Sequence, residues 1–256
     1  MTEKTARLLT RYAAEYETAD FVAGDPSRFM HRAWKSGAPA NEVEAEAFVA
    51  SCLSFGSISQ FVPKIETLIG LARGEMARWI LRGGFERDLP DGPARFYRFV
   101  TYDDLRAFFT AYRQVMRRHG TLGAYVKSAG DGTGLGAVKA LCAAFSGSLH
   151  LVPADAKSAC KRLCMFLRWM VRADSPVDLG LWDFIDRRTL IVPLDTHVLT
   201  EAARLGLAHG RQASMAAALR LTKELAGVFP DDPLRGDFAL FGHGLAASQG
   251  VPLTNH

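Results

Sequence analysis

AKSACKRLCMFLRWMVRA, residues 156–173, divides into two faces when wound as a helix. At 3.6 residues per turn Ala159, Leu163, Phe166, Leu167 and Met170 share one apolar side. Lys157, Lys161, Arg168 and Arg172 fall opposite, together with Met165, and no acid interrupts the basic series from Ala156 to Ala173. A solvated helix face usually mixes signs, as Glu201 and Arg204 do further along. An unmixed cationic stripe repels itself. Plain solvation of the stripe is one explanation, and a phosphate-bearing partner is the better one.

The same helical period recurs on both sides of this segment. It predicts helices over 42–55, 59–72, 75–82, 102–119, 135–145, 156–172, 195–205 and 213–226, with a last one near 238–247. Asp103 or Asp104 is expected near the start of the 102–119 helix, whose stripe is Leu105, Phe108, Phe109, Tyr112 and Met116. Arg95–Thr101 is the best strand candidate, and it is short. The Gly-rich stretch Ser128–Gly136 reads as a loop whose glycines do not fit a phosphate cradle. No repeat or low-complexity tract interrupts the pattern, so the fold class is all-α.

A chain of 256 residues is long enough for one large domain or two small ones with a sizeable core. Its net charge of +4 permits a polyanionic partner without requiring one. Cys52, Cys142, Cys160 and Cys164 are few and sit in apolar helical contexts, as expected of reduced core thiols in a cytoplasmic protein. They form no tight local run of the kind that holds an iron–sulfur cluster. Cys160 and Cys164 are one turn apart without the His pair that would complete a zinc site, so neither metal nor cofactor is expected. No stretch reaches the apolar length of a membrane span, and the N-terminus has no apolar segment behind basic residues.

Two positions go beyond packing. In LIVPLDTHVLTEAARLGL, residues 190–207, Asp195 follows an extended apolar run and precedes a helix closed by Gly206. Helix capping explains the aspartate alone, but not its neighbours Thr196 and His197. Lys161, with Ser158 as the expected N-cap, lies in a first turn where the helix dipole disfavours another cation, and Lys157 and Arg162 add like charge. Such a place is poor for a stabilising lysine and useful for a reactive amine.

Together these segments carry a resemblance. KRLCMFLRWMVR at 161–172, the Asp178–Trp182 segment with its DxGxW spacing, LIVPLDTHV at 190–198 and DPLRGDFALFGHG at 232–244 resemble the signatures of an uncharacterised, DUF2400-like bacterial family from Glu42 onward. The lysine helix followed by a DTHV helix start is also similar to the helix-hairpin-helix DNA glycosylase superfamily. KRLCMFLRW is nearest the lysine segment of its archaeal-type 8-oxoguanine glycosylases. That resemblance implies a two-lobed helical bundle forming a single unit, with 40–150 approximating the first lobe and 151–256 the second. It implies Lys161 as a Schiff-base nucleophile. Asp195 would stabilise the sugar cation and serve as the base that activates the lysine. Contacts to DNA, or to RNA, would come from Lys157, Arg162, Arg168, Arg172 and His197. Phe55, Trp169 and Trp182 are the candidates to hold an extruded base, with core packing as the alternative for each. A monomer is expected.

The chain departs from that superfamily in three places. LVPADAKSAC, residues 151–160, has no glycine where the usual hairpin is Gly-rich. The insertion ADSPVDLGLWDFIDRRT separates lysine from aspartate further than usual. Gly56 in CLSFGSIS stands where the superfamily has glutamine. An enzyme that excises a damaged or modified base is the first reading. A catalytically inactive nucleic-acid-binding protein of the same fold, and an enzyme acting on RNA or modified nucleosides, are the alternatives.

Overall fold

The structure, a computed structural model, describes residues 1–148, 150–208, 210 and 212–248. The chain runs through α1 (Glu3–Tyr16), α2 (Phe21–Gly24), α3 (Arg28–Lys35), α4 (Ala40–Leu53), α5 (Ile58–Ala72), α6 (Met76–Leu81) and α7 (Gly84–Asp88). A two-stranded hairpin, β1 (Arg95–Tyr97) and β2 (Val100–Thr101), follows. Then come α8 (Tyr102–His119), α9 (Leu122–Ala129), α10 (Gly134–Ala144), α11 (Lys161–Val171), α12 (Thr196–Arg204), α13 (Met215–Ala226) and α14 (Arg235–Ser248), with one 3₁₀ turn at Arg187–Thr189. The fold is all-α. The short strand expected at 95–101 is this hairpin. α1 to α3, absent from the sequence expectations, add an N-terminal layer in which α1 packs on α14 and α3 on α4.

Capping explains why the elements begin where they do. Thr101, two residues before the first of the expected acids, accepts from the Asp104 backbone N–H, while Asp104 reaches back to the Thr101 N–H at 2.7 Å. Thr121, Thr133 and Ser214 cap α9, α10 and α13 with the hydroxyl alone, which accepts the Ala124, Gly136 and Ala217 N–H groups.

α4 is the central element and packs against α3, α6 and α11. Its small residues let neighbours approach, yet it buries Glu42, Glu44 and Glu46. Glu42 accepts from the Ala77 and Arg78 N–H groups at 2.6 and 3.1 Å and so caps α6. Glu44 accepts from Leu122 and Gly123 at 2.8 and 3.0 Å, capping α9, and from the Trp182 indole at 2.9 Å. Both carboxylates answer orphan donors at helix N-termini, where negative charge is favoured. Burial nevertheless raises both their pKa values.

Glu46 has no such donors. Its Oε1 lacks a hydrogen-bond partner and Arg32 stands 4.0 Å away, so burial pushes its carboxyl up to about 7. A folded pKa above the unfolded one means that the native chain holds an extra proton between about pH 4.5 and 7. Stability therefore falls as pH rises through that window. Glu46→Gln is expected to remove this slope and to stabilise the protein above pH 7 by on the order of 2 kcal/mol. Urea unfolding at pH 5 and pH 8 measures it, and an identical pH dependence in the two proteins would contradict it.

Candidate active site

The apolar run before Asp195 is buried, with Leu190, Ile191, Val192 and Leu194 in the core and the Val192 N–H held by Thr222 Oγ1 at 3.0 Å. It is extended chain without a sheet partner and delivers Asp195 to the N-cap of α12, where Oδ1 accepts the Val198 N–H at 2.8 Å. Capping thus occupies one carboxylate oxygen. The other, Oδ2, meets the Lys161 ammonium at 2.7 Å, joining residues 34 apart in sequence. The two side chains keep 42% and 27% of their surface exposed, so the pair is reachable from solvent. Burial raises the Asp195 pKa, but the charge and hydrogen bond of Lys161, helped by the Val198 N–H, outweigh it and hold the carboxyl below its ordinary value. His197 is exposed on the first turn of α12, close enough for its charge to act on Asp195.

The lysine helix begins one turn later than its period suggests. Residues 157 and 158 pair with 213–215 instead: Ser158 bridges to Ser214, and the Met215 N–H donates to the Lys157 carbonyl at 3.0 Å. Cys160, not Ser158, is the N-cap, in a left-handed conformation at φ 46°. Lys161 is therefore the first helical residue. Its exposed neighbour Lys157 pairs with Asp155 at 3.0 Å.

Arg168 and Arg172, expected on a phosphate-facing stripe, are buried in this arrangement instead. They retain 3% and 1% of their surface, and α11 is buried on every side beyond Arg162. Arg168 Nε donates to Asp178 at 3.2 Å, and its Nη1 to Asp237. Arg172 donates to Asp178 and Glu17, and to Asp232 at 2.8 Å. Burial opposes both charges, and the surrounding carboxylates overcome it and raise both pKa values. The acids missing from the helix itself arrive from the end of α1, the loop after α11 and the start of α14. Breaking a buried pair strands an uncompensated charge. Arg172→Ala is therefore expected to destabilise the fold by about 3–5 kcal/mol, read by chemical denaturation. A loss below about 1 kcal/mol, the scale of a surface pair, would mean the network contributes little.

The aromatic candidates also separate. Trp169 is fully buried in the core and its indole N–H has no partner. Trp182 is buried with its N–H on Glu44 and its ring against Phe166 and Phe184. Neither can receive a base in this arrangement. Phe55 is half-buried, under the Arg162 guanidinium at 5.0 Å. Arg162 also donates to the Cys52 carbonyl, and burial lowers its pKa. The departure at Gly56 has a steric cause: at φ 81°, a Cβ there would stand 2.7 Å from Tyr97 Oη and Arg98 Nη1.

Asp237 and His243 were given no part in the site by the sequence, whereas the cysteines are the reduced core thiols it predicts. Asp237 is buried behind the pair, its pKa raised by burial against the pull of Arg168 and Lys161, with Asp195 adding to the rise. His243 is buried with Nδ1 at 2.8 Å from Glu201 and Nε2 unpartnered, joining α14 to α12. The four cysteines are free and buried, and a hydrogen bond from Cys142 lowers the Cys160 thiol to about 7. The DPLRGDFALFGHG segment contained the first two, but only the tertiary fold supplies their partners. Two surface clefts of about 590 and 570 Å³ are lined by other residues than Lys161 and Asp195. Among the described residues no group of three or more His, Cys, Asp or Glu is placed to hold a metal, and no helix is long and apolar enough to cross a membrane.

Fold and site define an all-α protein with a solvent-reachable lysine–aspartate pair at two helix starts. The chain belongs to the family described as "Protein of unknown function (DUF2400)", whose model matches residues 25–246. Comparison with curated proteins and with solved structures gives no match.

Proposed function

We propose that the protein is a DNA glycosylase/AP lyase-like enzyme that excises a damaged or modified base, with Lys161 as nucleophile and Asp195 as electrostatic partner. The observation that carries this reading is the 2.7 Å Lys161–Asp195 contact, made by a carboxylate whose capping duty uses only its other oxygen. The Lys161 ammonium first gives one proton to solvent water, and the lone pair so freed forms a bond to the sugar C1′ while the glycosidic bond breaks; the base leaves with that bond's electron pair and takes up a proton. The nitrogen then releases a proton, and the C1′–O4′ bond opens with O4′ keeping the electron pair and taking the last proton from nitrogen, which gives the imine. Positive charge builds on the sugar during this step, and a fixed carboxylate favours it. An acid held below its ordinary pKa stays anionic, which suits Asp195 to stabilising charge more than to storing the lysine's proton.

On this reading the fold is of the helix-hairpin-helix glycosylase type, with residues 40–150 and 151–256 as its lobes, of which 249–256 lie outside the described residues. The exposed Lys157 and His197, with Lys161 and the half-buried Arg162, would meet the phosphates. Borohydride trapping of the full chain on oligonucleotides carrying a panel of damaged and modified bases, in DNA and in RNA, tests the proposal. A covalent adduct with any of them is the expected result. Nucleic-acid binding without any adduct would leave a binding protein of the same fold, and no binding would overturn both readings.

A further inference from the structure

The hairpin between β1 and β2 presents an aromatic ring to solvent at the cost of two local preferences. Tyr97 and Val100 pair across a two-residue turn, Arg98–Phe99. Arg98 holds φ 52°, a conformation that suits glycine or asparagine and in an arginine is strained. Phe99 leaves 50% of its surface exposed although burial would favour it. The ring is nonetheless held firmly. It stacks on Phe55 with centroids 5.0 Å apart and planes at 17°, and Phe55 in turn contacts Tyr97 at 4.8 Å. The Tyr97 hydroxyl donates to the Phe55 carbonyl, and Arg162 covers Phe55 while bonding the Cys52 carbonyl. His150 meets the edge of Phe99 at 5.4 Å and is anchored to Asp104 at 3.0 Å. The left-handed Arg98 closes a two-residue turn, and that turn carries the ring out to the surface of the fold.

Charge indicates what the ring meets. Residues 54–60 and 95–101 contain no acid, whereas Arg95 and Arg98 are exposed and Arg162 lies behind Phe55. The nearby Asp104 is occupied by the Thr101 N–H and hydroxyl and by His150. A flat ring flanked by guanidinium groups matches a base left exposed beside a gap in a duplex, because every base has a face to stack on and the cations take the backbone. Arg162 follows Lys161 directly, so one residue links this tip to the lysine helix.

We propose, on the basis of the nucleic-acid reading above, that the Arg98–Phe99 tip enters a duplex. The free face of Phe99 stacks on the base bordering the gap left when a nucleotide is extruded, and Arg98 holds the adjacent phosphate. The test compares wild type with Phe99→Ala on a duplex containing one abasic site and on the same strand alone, by fluorescence anisotropy. A 2-aminopurine beside the site reports unstacking. Phe99→Ala is expected to weaken duplex binding roughly tenfold and to abolish the 2-aminopurine change, with single-strand affinity little altered and Phe99→Trp restoring both signals. The substituted ring is half exposed, and thermal melting checks that the variant remains folded. Unchanged duplex binding, or equal loss on both oligonucleotides, overturns the proposal while leaving the proposed function standing. So does loss of a dimer in sedimentation with DNA binding intact, since the tip would then serve a second copy. A wild-type protein that binds neither oligonucleotide overturns the proposed function and this inference with it.

Discussion

Lys161→Gln is expected to abolish borohydride trapping and strand cleavage completely while leaving a folded protein that still binds nucleic acid. An amide nitrogen has no lone pair free to attack a sugar carbon, so the covalent path closes entirely. The structural cost is small. The lysine is 42% exposed, and an ion pair at such a site contributes less than about 1 kcal/mol. Glutamine can still donate to Asp195 Oδ2 from the first position of α11. Binding should weaken only slightly, because Lys157, Arg162 and His197 remain. Trapping gels, anisotropy and thermal melting on one preparation separate these effects. A variant that still forms the adduct would move the nucleophile to another amine and remove the main support for the proposed chemistry.

How much of this site could be read from sequence depends on whether each partner is local. Asp195 was legible because its cap, the Val198 N–H, lies three residues away, and α8 from Tyr102 to His119 because its stripe and end signals are all within the segment. Helical period also placed Arg168 and Arg172 together on one face correctly. The same period cannot say which way a face points. Their partners Glu17, Asp178, Asp232 and Asp237 lie up to 155 residues away, and these acids turn an apparent phosphate-binding stripe into a buried charge cluster. The late start of α11 has a similar origin. Residues 157–158 favour a helix on propensity, but contacts with 213–215 and the left-handed Cys160 override it. Trp169 and Trp182 behaved as large apolar rings usually do and went to the core. Phe99 raised no signal in sequence, since its significance lies in being exposed, which only the fold reveals.

The same network constrains mechanism. Arg168 binds Asp237, whose carboxylate in turn feels the charges of Lys161 and Asp195. A fully packed α11 thus carries the backbone of Lys161, and Asp237 on α14 lies near enough to the pair to feel both charges. Such support is what a preorganised electrostatic site needs, because dipoles and charges that do not reorganise during reaction lower the barrier most.

Asp195→Asn isolates the charge from the cap. Asparagine is as good an N-cap as aspartate, so the Val198 N–H keeps its acceptor and α12 keeps its start. What disappears is the anion facing Lys161. Glycosidic cleavage is expected to slow by at least about a hundredfold, the usual scale for removing one preorganised electrostatic group, with binding intact. The pH dependence of stability supplies a second readout. Because Asp195 has a lowered pKa in the fold, its contribution is present above the ordinary carboxylate value of 3.8 and is lost as pH falls through the lowered one. Wild type and Asp195→Asn should therefore differ slightly in stability at pH 7 and converge in acid. If the aspartate only caps its helix, cleavage in the variant will match wild type, and the 2.7 Å contact is then a surface ion pair with no part in chemistry. A folded, binding-competent and nearly inactive variant would instead require the negative charge itself, which capping does not.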